Sequence, residues 1–281
     1  MNGETSMLVV DGSTLLLIVV AAIATYMTRI GGYVLMSSMK RIPPRMESAL
    51  NAVPAPRVAW DGPFVLRAFH GGTGRANAAS SLDPAADPEL PARIVRAETH
   101  YARLGLPCRF RSTPLDPPGL AALLLDRGYR EAEGALVMTG RVPPADDPEA
   151  HLCEGPDAEW LSVLATAEYQ GETRRAEKAE AVALMARPAA WLVLRVDGMA
   201  AACGHAVADG RLCGLFDLAV RAEFQRQGLG RRLLGALAGW GARQGAGLCW
   251  LQVAPGNAAA RRVYAASGFV EVYSYRYLLR D

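Results

Sequence analysis

Apolar residues are distributed unevenly along the chain, and the longest charge-poor stretch lies near its N-terminus. From Ser13 to Met39 the only charged residue is Arg29. A helix over Ser13–Thr28 would measure roughly 24 Å, whereas the hydrocarbon core of a bilayer is about 30 Å thick. Continuation to Met39 would supply the missing length if Arg29 snorkels to the interface or is paired. We therefore predict an N-terminal hydrophobic helix within residues 1–45 that spans a membrane.

Two other interpretations of this segment stay open. Ala22-Ile23-Ala24 is similar to the cleavage site of a signal peptide, but Glu4 and Asp11 stand where such a peptide carries positive charge. A helix packed against the rest of the protein is the second alternative. If the segment spans a membrane, Lys40 and Arg41 follow it, and the positive-inside rule places the remaining chain in the cytoplasm. The predicted location is therefore cytoplasmic, with membrane anchoring through the N-terminal helix.

Short apolar segments follow the prolines Pro43-Pro44, which interrupt regular structure. From residue 46 to residue 141 the pattern predicts strand, helix, strand, helix and strand, at 64–69, 90–104, 108–112, 120–127 and 135–139. Gly71-Gly72-Thr73-Gly74 is interpreted as a plain loop, because no apolar helix follows it. Residues 141–149 combine three prolines with three acids and are typical of a linker. We therefore predict one domain over 46–141 and another over 150–281.

The pattern in residues 150–281 is richer. It predicts helices at 156–169, 174–185, 227–243 and 258–267, and strands at 191–196, 200–207, 212–220, 248–253 and 269–279. The pairs Asp197-Gly198 and Asp209-Gly210 separate the first three of these strands and are strong hairpin signals. The predicted fold class is α/β (α+β) with a mixed central sheet.

Composition excludes several classes of protein. The 281 residues carry a net charge of +2, and 51% of them are hydrophobic, a balance that is not typical of nucleic-acid-binding proteins. The five cysteines form no C-x-x-C pair and the histidines lack ligand spacing, so no metal site is expected. The oligomeric state stays open.

Two motifs carry the chemical information. In the first, Gln225, Gly228 and Gly230 have the spacing Q-x-x-G-x-G between a predicted strand and a predicted helix. Glycines let a ligand approach the backbone, and the following helix presents free N–H groups and a positive dipole end to an anion. In the second motif, Asn257 and Tyr264 lie in the order N-x-x-A-x-x-V-Y-x-x-x-G-F.

Together the two motifs resemble the GNAT acetyltransferase superfamily over residues 152–279. The resemblance implies a GNAT fold with acetyl-CoA as co-substrate. The cofactor-binding residues that it implies are Leu218 and Val220 for the pantetheine arm, Gln225, Arg226, Gln227, Gly228 and Gly230 for the diphosphate, and Asn257. The order of elements in 46–141 is similar to the C-terminal half of the same fold. We therefore interpret 46–141 as a degenerate GNAT-like domain, similar to the N-terminal halves of some tandem GNAT proteins.

Acyl transfer to an amine requires proton transfers. An alkyl amine with a pKa near 10.4 is protonated at neutral pH, so a base or a chain of waters must take its proton. Asp217 is an acid within the apolar run 212–220, where burial would raise its pKa and suit it to act as a base; a structural hydrogen-bond acceptor is the alternative. Tyr264 matches the general acid of the superfamily, with aromatic packing as the alternative. Tyr264 and Asp217 are the predicted catalytic residues.

A second resemblance concerns residues 13–54. The sequences Thr25-Tyr26-Met27-Thr28-Arg29-Ile30-Gly31-Gly32 and Ile42-Pro43-Pro44-Arg45-Met46-Glu47-Ser48-Ala49-Leu50-Asn51-Ala52-Val53-Pro54 are similar to the opening of the small subunit of AzlD-type branched-chain amino acid exporters. No later segment is long and charge-free, so the remaining spans of that family are missing. A natural fusion and a gene model joined across a break both stay open.

The predicted function is N-acetyl transfer from acetyl-CoA to a primary amine, in a small molecule or a peptide, by direct attack in a ternary complex. No nucleic-acid partner is expected. The alternatives are a non-catalytic acyl-CoA-binding regulatory module and a remnant of an amino acid exporter subunit fused to a GNAT domain. The acceptor amine stays open, because specificity in this superfamily depends on loops, here mainly 154–187 and 272–276.

Overall fold

A single mixed sheet connects the two parts of the chain that follow the N-terminal segment. The computed structural model describes residues 44–167 and 171–280. Within them the strands are β1 (Arg57–Asp61), β2 (Phe64–Ala68), β3 (Ala79–Ser81), β4 (Arg109–Ser112), β5 (Arg130–Gly140), β6 (Ala150–Cys153), β7 (Ala189–Val196), β8 (Met199–Asp209), β9 (Leu212–Val220), β10 (Leu248–Val253) and β11 (Phe269–Leu279). The helices are α1 (Pro44–Ala52), α2 (Leu90–Arg103), α3 (Leu120–Asp126), α4 (Ala158–Leu164), α5 (Glu172–Ala181), α6 (Leu229–Arg243) and α7 (Ala258–Ala266).

The strand order shows that the two parts of the chain exchange strands within the sheet. It runs β1-β2-β3-β4-β11-β5-β10-β9-β8-β7-β6. The last strand of the chain, β11, pairs antiparallel with both β4 and β5, and β5 in turn pairs antiparallel with β10. Parallel pairing occurs for β3 with β4 and for β9 with β10; α2 and α6 supply the crossovers that such pairs need. The predicted mixed sheet is confirmed.

Helix α6 covers one face of this sheet. Its buried residues include Leu229, Leu233, Leu237 and Trp240, so the apolar face expected from their spacing is the one that packs. The linker also lies against α6, because the N–H of Ala145 donates to the carbonyl of Gly235. A Cβ at Gly239 would lie 2.8 Å from the carbonyl oxygen of Ala145. Glycine at this position therefore allows the linker to pack directly on the helix.

Helix α1 packs within the core. Ala49 and Ala52 are buried in a cluster with Phe216 and Trp250, and the indole Nε1 of Trp250 donates to Ser48 Oγ at 3.0 Å. The described residues belong to one compact unit. One sheet contains strands from both 46–141 and 150–281. The predicted division into two domains therefore stays a prediction.

No helix within residues 44–167 and 171–280 combines the length and the apolar character required to cross a bilayer. The predicted membrane helix, at residues 13–39, lies outside the described residues.

Candidate active site

Strands β9 and β10 separate at their C-terminal ends and form a cleft. Their parallel pairing ends at Leu215 and Leu251. The register between β8 and β9 shifts between Cys203 and His205, and Asp217 at this bulge has a φ of 54°. The cleft has a volume of about 360 Å³. Residues 215–218 of β9, residues 251–254 at the end of β10, the helix cap Asn257, and Ala260 and Tyr264 of α7 are among the residues that line it.

The turn between β9 and α6 presents unpaired amides. The N–H of Gln225 donates to the carbonyl of Ala222, so this amide, expected to face the ligand, is already used. Within the described residues, the N–H groups of residues 226–230 donate to no protein acceptor. Arg226 and Gly228 have φ values of 61° and 82°, and successive amides in this conformation form a concave anion-binding nest. The nest lies at the positive end of the α6 dipole.

Side chains of this turn hydrogen-bond to backbone carbonyls nearby. The amide nitrogen of Gln225 donates to the carbonyl of Val220 at 3.2 Å, and that of Gln227 donates to the carbonyl of Glu223 at 3.2 Å. Arg232, one turn into α6, donates twice to the carboxylate of Asp147 at 2.7 and 2.8 Å. Its charge is therefore directed at the linker.

Helix α7 lies beside the amide turn. A Cβ at Gly230 would lie 3.6 Å from Val263, the residue before Tyr264. Asn257 caps the helix, because its Oδ1 accepts from the N–H of Ala260 at 3.0 Å. Tyr264 is 9% exposed, and burial raises the pKa of its hydroxyl to about 12. Helix α7, which carries Tyr264 to the lining of the cleft, therefore packs beside the N-terminus of α6, where the amide turn lies.

Asp217 is buried in an ion-paired cluster. Lys178 Nζ donates to its Oδ1, and His205 Nδ1 lies 3.1 Å from its Oδ2, although without the alignment of a hydrogen bond. Burial by itself raises the pKa of Asp217, but the charge of Lys178 and the proximity of His205 outweigh it and hold the pKa well below its usual range. The expectation of a raised pKa is therefore wrong, because the sequence does not show that Lys178 reaches this position.

His205 occupies an aromatic sandwich. Its ring stacks on Trp191 and on Phe216, with centroids 5.7 and 5.0 Å away. Burial lowers the pKa of the imidazole, and the close, negatively charged carboxylate of Asp217 opposes that shift. Neither Lys178 nor His205 was identified from the sequence, since a lysine on a charged helix and a histidine within a strand carry no local signal.

The opposite wall of the cleft comes from residues 46–141. The loop Gly71-Gly72-Thr73-Gly74, expected to be a plain loop, is held by the buried carboxylate of Glu177 on α5. Glu177 Oε1 accepts from the N–H groups of His70 and Gly72 and from the side chain of Asn77 at 3.0, 2.9 and 2.8 Å. This contact places the next residue, Arg75, on the cleft wall together with Tyr275 and Tyr277 of β11.

Residues 45–278 match the model of a family described as "Probable histone acetyltransferase Rv0428c C-terminal". The chain belongs to this family. It is therefore an acyltransferase, and the GNAT resemblance is confirmed. The chain is 26% identical over 229 residues to the uncharacterized N-acetyltransferase YobR of Bacillus subtilis strain 168, covering 78% of this chain and 90% of YobR. A shorter match, 46% identical over 57 residues, is to the [ribosomal protein bS18]-alanine N-acetyltransferase of Escherichia coli K12 and covers 20% of this chain and 38% of that enzyme.

Solved structures show the same fold. A GCN5-related N-acetyltransferase from Kribbella flavida superimposes with a TM-score of 0.61 at 21% identity and covers 86% of this chain and 96% of its own. A tandem GNAT protein from the clavulanic acid biosynthesis pathway has a TM-score of 0.57 at 16% identity, with coverage of 86% and 89%. The acyltransferase therefore has the GNAT fold.

The second resemblance is also confirmed. Residues 14–59 match the model of the branched-chain amino acid transport protein AzlD. This match overlaps the acetyltransferase match over residues 45–59. Within the overlap, Ser48, Ala49 and Ala52 are buried in the acetyltransferase core. These three residues therefore contribute to the acetyltransferase fold.

Proposed function

We propose that this acyltransferase moves an acetyl group from acetyl-CoA to a primary amine by direct attack in a ternary complex. One observation carries the proposal: the amides of residues 226–230 lie at the N-terminus of α6, and α7, which packs beside that terminus at Val263, carries Tyr264 to the lining of the cleft between β9 and β10. A diphosphate bound by these amides would direct the thioester of the same molecule toward Tyr264.

The amide nest fits the diphosphate of coenzyme A. Amides without protein acceptors and a helix N-terminus are the groups that bind phosphates, and Gly228 adds no side chain that would fill the nest. Exposed Arg226 supplies positive charge at its rim. The pantetheine arm would then lie along β9, bind backbone groups of Leu218 and Val220, where it would displace the side chain of Gln225 from the Val220 carbonyl, and reach Asn257 and Tyr264 at α7.

The chemistry proceeds by proton transfers around a direct attack. The neutral amine forms a bond to the acetyl carbon, and the carbon–sulfur bond breaks. The β9 bulge leaves Asp217 and Leu218 without direct partners in β8, so the amide of Leu218 is placed to polarise the carbonyl. Tyr264, whose pKa of about 12 keeps it protonated at neutral pH, donates to the departing thiolate.

Asp217 is a poor base in this scheme, since its pKa is held far below that of an amine. We assign it a positioning role at the bulge, where it fixes the strand conformation beside the reacting carbonyl. The proton of the incoming amine then leaves to water in the open cleft.

The test is release of free thiol from acetyl-CoA by the purified full chain, over a panel of amines. Turnover with at least one amine is expected. Acetyl-CoA binding without turnover on any amine would instead favour the non-catalytic regulatory module. The exporter-remnant alternative concerns only the AzlD-like segment. Unchanged turnover after deletion of residues 1–43 would show that acetyl transfer does not depend on that part of the segment.

A further inference from the structure

Arg75 brings an uncompensated positive charge to the acceptor side of the cleft. It lines the cleft together with Phe216 and Asp217, and its guanidinium lies 5.4 Å from the centroid of the Phe216 ring. Within residues 44–167 and 171–280, Arg75 forms no ion pair. The positive charge of Arg75 also acts on the buried groups beside the cleft. Together with burial, which is the larger cause, it lowers the pKa values of His205 and Lys178.

The backbone around Arg75 is fixed rather than free to move away. Glu177 holds the preceding loop through hydrogen bonds to the backbone. The carbonyl of Arg75 itself accepts from the guanidinium of Arg67 at 2.9 Å. Gly74 lies so close to the ring of Tyr277 that a Cβ would be 2.6 Å from its Cζ. Because the backbone is fixed and the guanidinium lies over the Phe216 ring, Arg75 loses less conformational entropy on binding an anion than an arginine on a free loop would.

A second hydrogen-bond donor that lines the cleft is without an acceptor in the part of the chain that the structure describes. Gln252 on β10 accepts from the hydroxyl of Tyr275 through its Oε1 at 2.8 Å. Its Nε2 is buried and has no hydrogen-bond partner among the described residues. A buried N–H group without an acceptor is costly, so a ligand oxygen at this position would be favourable.

The acids of the cleft do not satisfy these donors. Asp217 is already neutralised by Lys178. Glu133 also lines the cleft and brings a negative charge to it. The cleft therefore offers a guanidinium on a fixed backbone and an amide donor to an anion, and a carboxylate to an ammonium.

Building on the proposed acetyl transfer, we propose that the acceptor is an amine that also carries a carboxylate, such as a free amino acid. Arg75 binds the carboxylate, and Gln252 donates to one of its oxygens. The pairing of a planar guanidinium with a carboxylate is geometrically specific. A basic lysine-rich peptide, which the family description would suggest, fits this wall poorly because it brings positive charge to Arg75.

The test compares amines that differ only in the carboxylate. With the full chain and saturating acetyl-CoA, thiol release is measured for tyrosine against tyramine, histidine against histamine, and a lysine-rich peptide. We expect the carboxylated member of each pair to have the higher kcat/KM by about tenfold or more, the effect of one charge-assisted hydrogen bond.

Variants test which residues produce the preference for the carboxylated amine. Arg75→Met should reduce kcat/KM for the carboxylated amines by about ten- to a hundredfold while leaving their decarboxylated partners within about twofold. Gln252→Glu, which keeps an acceptor for Tyr275, should reverse the preference. Arg103→Met, at an exposed position in the last turn of α2, is the matched control and should change nothing.

The outcomes separate this inference from the proposed function. Thiol release with no preference for the carboxylate, or a preference that survives Arg75→Met, contradicts the inference alone. A peptide that is the best acceptor contradicts it as well. An absence of thiol release with every amine contradicts the acetyltransferase proposal and, with it, this inference.

Discussion

Replacing Lys178 by methionine should destabilise the protein strongly and with an unusual dependence on pH. The side chains of Lys178 and Asp217 are 16% and 7% exposed, so the pair is largely removed from water. Methionine fills a similar volume but leaves the carboxylate with His205 as its remaining neighbour. Removing one partner of a buried ion pair costs about 3–5 kcal/mol, and we expect a loss of that size at pH 8.

The sign of the pH dependence follows from Asp217. In the wild-type protein its pKa is lowered, so its contribution to stability is present above the ordinary value near 3.9 and is lost as the pH falls through the folded-state value. Without Lys178, burial raises the pKa instead, and the folded state binds an extra proton at Asp217 or His205. The variant therefore gains stability on acidification, by up to about 1.4 kcal/mol per pH unit for one proton.

Urea unfolding at pH 8 and at pH 5, followed by circular dichroism, measures both effects. The difference between wild type and variant should shrink at the lower pH. Arg175→Met, exposed on the same helix, controls for the helix itself, and adding Asp217→Asn to the lysine variant should recover part of the loss. A loss below about 1 kcal/mol at pH 8, or one that is independent of pH, would refute the assignment of Lys178 as the partner of a buried carboxylate.

Three further predictions concern the cleft. Gly228→Glu should abolish coenzyme A binding in calorimetry, whereas Gly245→Glu should preserve it; both residues have positive φ and open space around them, so equal affinities would contradict the diphosphate nest. Tyr264→Phe should lower kcat by about a hundredfold with little change in acetyl-CoA affinity, and equal rates would return Tyr264 to a packing role. Glu177→Gln should reduce stability by about 2 kcal/mol, because an amide replaces a carboxylate that accepts from several N–H groups; an unchanged urea midpoint would exclude that role.

Local patterns were sufficient to predict the turn between β9 and α6 and the cap of α7. The amide turn and the cap of α7 depend on residues a few positions apart, such as Asn257 and Ala260. Even there, the sequence did not show that the short helical turn at 222–224 uses the N–H of Gln225. The helix predicted over 156–169 was also too long, since α4 covers Ala158–Leu164.

Contacts between distant residues could not be predicted. Lys178 and Asp217 are 39 positions apart, and Glu177 meets the loop at Thr73 across 104 positions. Each of these residues is unremarkable in its own segment, so no periodicity or motif identifies the pair. The cleft wall around Arg75 and Asp217 consists of such contacts, and for this reason the substrate could not be predicted from local patterns.

Helix α7 connects two strands that are not neighbours, because β5 lies between β10 and β11. With strands about 4.8 Å apart, the inserted strand doubles the width that the connection carrying Tyr264 must bridge. The first part of the chain thus acts as a spacer that sets the reach of a helix it does not contain. Deleting β5 would close the gap between β10 and β11 and shift α7, with Tyr264, relative to the cleft.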